Sequence, residues 1–126
     1  MRTLGIDYGS KRVGLAISDE LGVLARELEV VANPQALSRV KQIITELEVG
    51  EIVMGLPIGL GGQDTQKTKE VQKFLDVLKK EVSVPVKAVD ERMSTQMALK
   101  IPGGDRGTDS LAAQIILQTY LDKNHV

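Results

Sequence analysis

Leu4-Gly5-Ile6-Asp7-Tyr8-Gly9-Ser10 runs an apolar, strand-like segment into a carboxylate and then into a glycine-serine turn. After Lys11 and Arg12, the stretch Val13-Gly14-Leu15-Ala16-Ile17 reads as a second strand. A carboxylate at the mouth of a core strand is costly to desolvate unless it is paired or binds a cation. The glycine beside it lets a backbone or a phosphate come close. The stretch therefore suggests a site for a metal ion, a phosphate or both. Equally, Asp7 can cap the turn with an Asx-type hydrogen bond, and Asp-x-Gly alone does not separate the two.

Working outward, strands are expected from Thr3 to Ile6, Val13 to Ser18 and Val23 to Val31. Asp19-Glu20-Leu21-Gly22 is a polar turn between the second and third, so the three form an antiparallel meander. Asn33-Pro34 predicts a helix start with Asn33 as N-cap and Pro34 at N1. Leu37, Val40, Ile43, Ile44 and Leu47 then recur at helical spacing. Glu51 to Leu56 is a short apolar run that ends at Pro57, as a buried parallel strand does. The glycine-rich stretch Gly59-Leu60-Gly61-Gly62 precedes a second helix carrying Val71, Phe74, Leu75 and Leu78. Val84 to Val89 is the fifth strand. Ser94-Thr95 caps a short helix with Met97, Ala98 and Leu99, and a loop runs from Pro102 to Gly107. The last helix starts near Thr108-Asp109 and turns Leu111, Ala112, Ile115, Ile116 and Tyr120 inward. This order predicts an α/β fold, a mixed sheet with helices on both faces.

The 126 residues suit a single domain over 1–126, and 42% hydrophobic content supports a packed core. That core must be aliphatic, since Phe74, Tyr8 and Tyr120 are the only aromatic residues and tryptophan is absent. Aromatic stacking is thus not expected as the main mode of binding nucleic acid. With 16 basic and 17 acidic residues the net charge is −1, unlike a strongly basic sequence-independent binder. There is no cysteine, which excludes thiolate zinc sites, and the single His125 cannot anchor a histidine cluster. No apolar run is long enough to span a membrane, and no signal peptide is visible, so a cytoplasmic protein is expected.

The acidic residues acquire meaning once placed on these elements. Asp7 ends the first strand, Asp90 and Glu91 end the fifth, and Asp109 opens the final helix. Ligands of open α/β sheets gather outside the carboxyl ends of parallel strands. Carboxylates converging there repel one another unless divalent cations bind. Mg²⁺ is commonly held by carboxylates together with phosphate oxygens. Individually each has an ordinary role: Asp109 as a first-turn acid, Glu91 with Arg92 as an exposed ion pair, Lys11 and Arg12 as solvated turn residues.

These residues also carry a family resemblance over nearly the whole chain. Gly5-Ile6-Asp7-Tyr8-Gly9 with Val13-Gly14-Leu15-Ala16, Val53-Met54-Gly55-Leu56-Pro57, Asp90-Glu91-Arg92-Met93-Ser94-Thr95 and Asp109 to Leu117 resemble the YqgF/RuvX family. Its members are described as Holliday junction resolvases or pre-16S rRNA nucleases with an RNase H-like fold. The resemblance implies a five-stranded mixed sheet of order 3-2-1-4-5, and a catalytic, metal-holding triad of Asp7, Glu91 and Asp109. Mg²⁺ or Mn²⁺ would be the cofactor and the reaction phosphodiester hydrolysis. Gly9, Ser10, Lys11, Arg12 and Arg92 would position phosphates, and Asp90 would orient Arg92. Precursor rRNA or branched DNA would be the partner, with ribosomal particles as further partners, and the protein a monomer or weak homodimer. Two stretches depart from the family pattern: Ile58 to Gly62, where a polar Asn-x-Asp-Gly-like run is usual, and the short segment between Thr95 and Asp109. The rival is a non-catalytic RNA- or protein-binding module on the same fold. Nucleotide binding at the Asp-x-Gly turn is a third, but the chain is too short for the second domain that closes over ATP in actin-like proteins.

Overall fold

Alternation of side chains along Arg2–Tyr8 sends Leu4, Ile6 and Tyr8 to one side of the first strand and Thr3, Gly5 and Asp7 to the other. A computed structural model describes residues 1–56, 66–90 and 108–124, and the sheet is built around this strand. β1 (Arg2–Tyr8) pairs antiparallel with β2 (Arg12–Ser18), which pairs antiparallel with β3 (Ala25–Ala32). On its other side β1 pairs parallel with β4 (Val49–Leu56), and β4 parallel with β5 (Val86–Asp90). The result is a five-stranded sheet of order β3-β2-β1-β4-β5, as the resemblance implied.

One face carries large aliphatic side chains. Leu4, Ile6, Val13, Leu15, Ile17, Ile52 and Met54 are fully buried there against two helices. These are α1 (Ala36–Glu46), through Val40 and Ile43, and α2 (Gln66–Glu81), through Val71, Leu75 and Leu78. Each such side chain contributes about 1.5–3 kcal/mol on leaving water. The opposite face is lined by small residues and, among the described residues, receives one helix, α3 (Thr108–Asn124). Ala16 and Ala25 pack there on Ala113, Leu117 and Leu121. The approach is close enough to require glycine at position 5. A Cβ there would lie 2.8 Å from the Leu117 Cβ and 3.0 Å from the Ala113 carbonyl oxygen.

Several boundaries differ from the sequence expectation. β3 starts at Ala25, not Val23, because the Asp19 carboxylate accepts the amides of Val23 (2.8 Å) and Leu24 (3.4 Å) and extends the turn. The Val23 amide is the main reason that carboxyl group is held below its usual range. Asn33 is not a helix N-cap. Asn33–Gln35 forms a turn of 3-10 helix ahead of α1 with no side-chain cap, and the Asn33 amide group is engaged elsewhere. β4 starts earlier than expected, at Val49, which pairs with Arg2, and β5 starts later, at Val86 opposite Ile52. In α3, Leu111, Ile115 and Tyr120 are half-buried, while Ala113, Leu117 and Leu121 belong to the buried row. The expected Ser94 helix and the Gly59 to Gly62 and Pro102 to Gly107 loops lie outside the described residues. No helix among the described residues is long and apolar enough to cross a membrane.

Candidate active site

Asp7 is half-buried on the face covered by α3. Its partner across the antiparallel ladder is Gly14. On the parallel side Ile6 pairs with Met54, so one further step of the same register brings Asp7 level with Gly55. Both strands that flank the carboxylate therefore present glycine at its rank. Neighbouring strands lie about 4.8 Å apart, and the two buried glycines bring no side chain to the carboxylate from either side.

The helix above runs against the strand. Gly5 faces Ala113 and Leu117, whereas nearer the start of β1 the Tyr120 hydroxyl reaches Glu51, the strand partner of Thr3. From Gly5 to Asp7 the strand advances about 6.6 Å, a distance the helix covers in about four residues. Asp7 is thus level with the first turn of α3, which begins at Thr108 and includes Asp109. Asp90 is the last residue of β5 and pairs with Leu56. That puts its backbone one step beyond Asp7 along the strands and two strands across, roughly 10 Å away laterally. Glu91 and Arg92 lie outside the described residues. Among the described residues no three acidic or histidine side chains gather around one point. Of the expected triad, Asp7 is the member whose side-chain setting is described.

The turn that follows is held by an unexpected residue. Asn33 Nδ2 donates to the Gly9 carbonyl at 2.7 Å, and the Asn33 backbone amide donates to the Lys11 carbonyl at 2.9 Å. A Cβ on Gly9 would lie 2.5 Å from the Arg12 carbonyl oxygen, so the turn admits only glycine there. Ser10, Lys11 and Arg12 are exposed on this braced turn. In sequence Asn33-Pro34 carries only a helix-start signal; nothing local marks a bond to a carbonyl 24 residues earlier.

A second acid on the same face has a different setting. Glu51 Oε2 accepts from the Tyr120 hydroxyl at 2.9 Å and pairs with Lys87 Nζ at 3.2 Å. Thr3 Oγ1 donates to Glu51 Oε1 at 3.4 Å. Lys87 also donates to the Tyr120 oxygen at 2.9 Å, and that hydroxyl, followed by Glu51, raises the ammonium above its usual range.

A family model described as RuvX, Holliday junction resolvase, matches residues 1–123. This chain belongs to the RuvX family. A relative from Dictyoglomus thermophilum, named "Putative pre-16S rRNA nuclease", is 41% identical over 98% of this chain and 97% of its own. A relative of the same name from Maridesulfovibrio salexigens is also 41% identical, over 96% and 98% of the two chains. Among solved structures, RuvC from Thermus thermophilus in complex with a Holliday junction substrate superposes with a TM-score of 0.68. It covers 99% of this chain and 96% of that one at 19% identity, which establishes the RNase H-like fold.

Proposed function

We propose that this RuvX-family chain acts in the cytoplasm, as a single domain, as a divalent-metal-dependent endonuclease on structured nucleic acid. Precursor rRNA, free or in ribosomal particles, and branched DNA are its substrate classes. The observation that carries this is Asp7 flanked by Gly14 and the Gly55 position, level with the first turn of α3. Asp7, Glu91 and Asp109 supply only carboxylate oxygens, a donor set suited to Mg²⁺ or Mn²⁺ and unsuited to soft metals. A bound ion supplies Lewis-acid activation of water and charge stabilisation at the leaving 3′ oxygen.

The chain's own residues supply position. The braced Gly9–Arg12 turn offers backbone amides, the Ser10 hydroxyl, and the Lys11 and Arg12 cations to phosphates, contacts that set register without reading sequence. Arg92 adds a further cation, with Asp90 orienting it. Gly14 and the Gly55 position bring no side chain against Asp7 that would compete with a phosphodiester. Incubation of pure protein with a four-way junction, a linear duplex and a precursor rRNA should give cleavage of at least one substrate with Mg²⁺ or Mn²⁺ and none with EDTA. Intact substrates throughout, with binding retained, would instead indicate a non-catalytic binding module.

A further inference from the structure

Tyr8 points away from Asp7, to the other side of the sheet, and there the only phenylalanine of the chain meets it. The Tyr8 and Phe74 rings lie 4.7 Å apart at 31°. They line a cleft of about 420 Å³ together with Ser10, Glu70, Lys73 and Val77. That volume falls within the range of small-molecule sites, roughly 300–1,000 Å³. In a chain with so few aromatic residues, two in contact at a cleft beside the phosphate-binding turn form an uncommon surface. Core packing accounts for their apolar edges, since both lean on the aliphatic cluster. It does not account for the hydroxyl, carboxylate and ammonium arrayed around them.

Resting on the nucleic-acid reading above, we infer that this cleft binds one unpaired nucleotide of the substrate strand, on the sheet face opposite Asp7. The base lies against the Tyr8–Phe74 pair, as sequence-tolerant stacking sites hold bases. Its phosphate meets Lys73 and Ser10. Glu70 accepts from an exocyclic amine, a contact that thymine and uracil cannot make. Charge and continuity support this occupant. Lys73 also lines the neighbouring cleft with Lys69 and Leu56, so two ammonium groups about one helical turn apart follow the carboxyl edge of the sheet. Ser10 belongs to both the turn and the cleft. A strand passing Asp7 can cross that edge and place its next unpaired nucleotide here.

Binding is measured in EDTA, so that it does not depend on cleavage, by fluorescence anisotropy of labelled oligo(dC) and oligo(dT). Phe74→Leu and Tyr8→Leu, which keep apolar bulk, should each weaken binding about five- to a hundredfold, whereas Tyr8→Phe should not. Lys73→Gln should lower the salt slope by roughly 0.7. Oligo(dC) should bind more tightly than oligo(dT), and Glu70→Gln should remove the difference. Photo-crosslinking of the wild-type protein to 5-iodouracil oligonucleotides covers the case of poorly folded variants, with adducts expected on Tyr8 or Phe74. Crosslinks confined to other residues, or folded leucine variants with unchanged affinity, overturn the inference. A protein that crosslinks here yet never cleaves overturns only the nuclease reading.

Discussion

Thr3 and Asp7 stand on the same strand and the same face, yet the two ends of that face are built on opposite plans. At the amino end the acid nearest Thr3 is Glu51, satisfied by Thr3, Tyr120 and Lys87. At the carboxyl end Asp7 has Gly14 opposite it and Gly55 level with it, and no side chain comes from either strand. Glu51 is thereby closed off as a structural acid that ties α3 and β5 to the sheet. Asp7 instead stands between two glycines, at the end of the strand where the proposed site lies. An acidic residue in a strand is thus interpretable only through the residues level with it on the neighbouring strands.

The sharpest way to break this contrast is to place a side chain where a glycine flanks Asp7. Gly14→Val should lower metal-dependent cleavage by about a hundredfold, the scale of a misplaced reacting group, while the protein still unfolds cooperatively in a thermal melt. Equal activity in the folded variant would mean that the glycine beside Asp7 is not needed for cleavage. The brace on the turn comes next. Asn33→Ala removes the bond to Gly9 and should cost about 1 kcal/mol in urea unfolding, with a raised KM and a smaller change in kcat. A cap role would instead leave KM alone.

At the amino end the same kind of change should touch stability only. Tyr120→Phe removes the hydroxyl shared by Glu51 and Lys87 and should cost at most about 1 kcal/mol, since the cluster is partly solvated, with cleavage unchanged. The smallest effect concerns pH. Lys87 is held above its usual value of 10.5, first by Tyr120 and then by Glu51. A raised folded-state pKa gives a contribution complete below the unfolded value and lost as pH rises through the folded one. The melting-temperature advantage of wild type over Lys87→Met should therefore shrink above about pH 10.5. An advantage constant with pH would show that the ammonium contributes packing alone.

Much of this architecture was legible in the chain itself. Alternating Leu4 and Ile6, the three-and-four spacing of Val40, Ile43 and Leu47, and the short run Ile52 to Leu56 each report local periodicity, and periodicity survives folding. What escaped was non-local. By residue type Asn33 suits a cap as well as a bond to Gly9, and only the packing of the β3–α1 junction against the turn decides for the latter. Asp19 extends its turn because its carboxylate accepts two amides, which shortens β3 from the side that hydrophobicity favoured. Gly14 and Gly55 stand inside strands, where glycine is ordinarily unfavourable. Their meaning appears once the register sets them on either side of Asp7.

The most direct measurement compares Asp7→Asn with Glu51→Gln in one cleavage assay across a Mg²⁺ titration, with circular dichroism to verify folding. Asp7→Asn should stay folded and lose at least about a hundredfold of metal-dependent cleavage, while Glu51→Gln should cleave as wild type does and melt earlier. Undiminished cleavage by pure, folded Asp7→Asn would contradict the assignment of the carboxyl end as the active site.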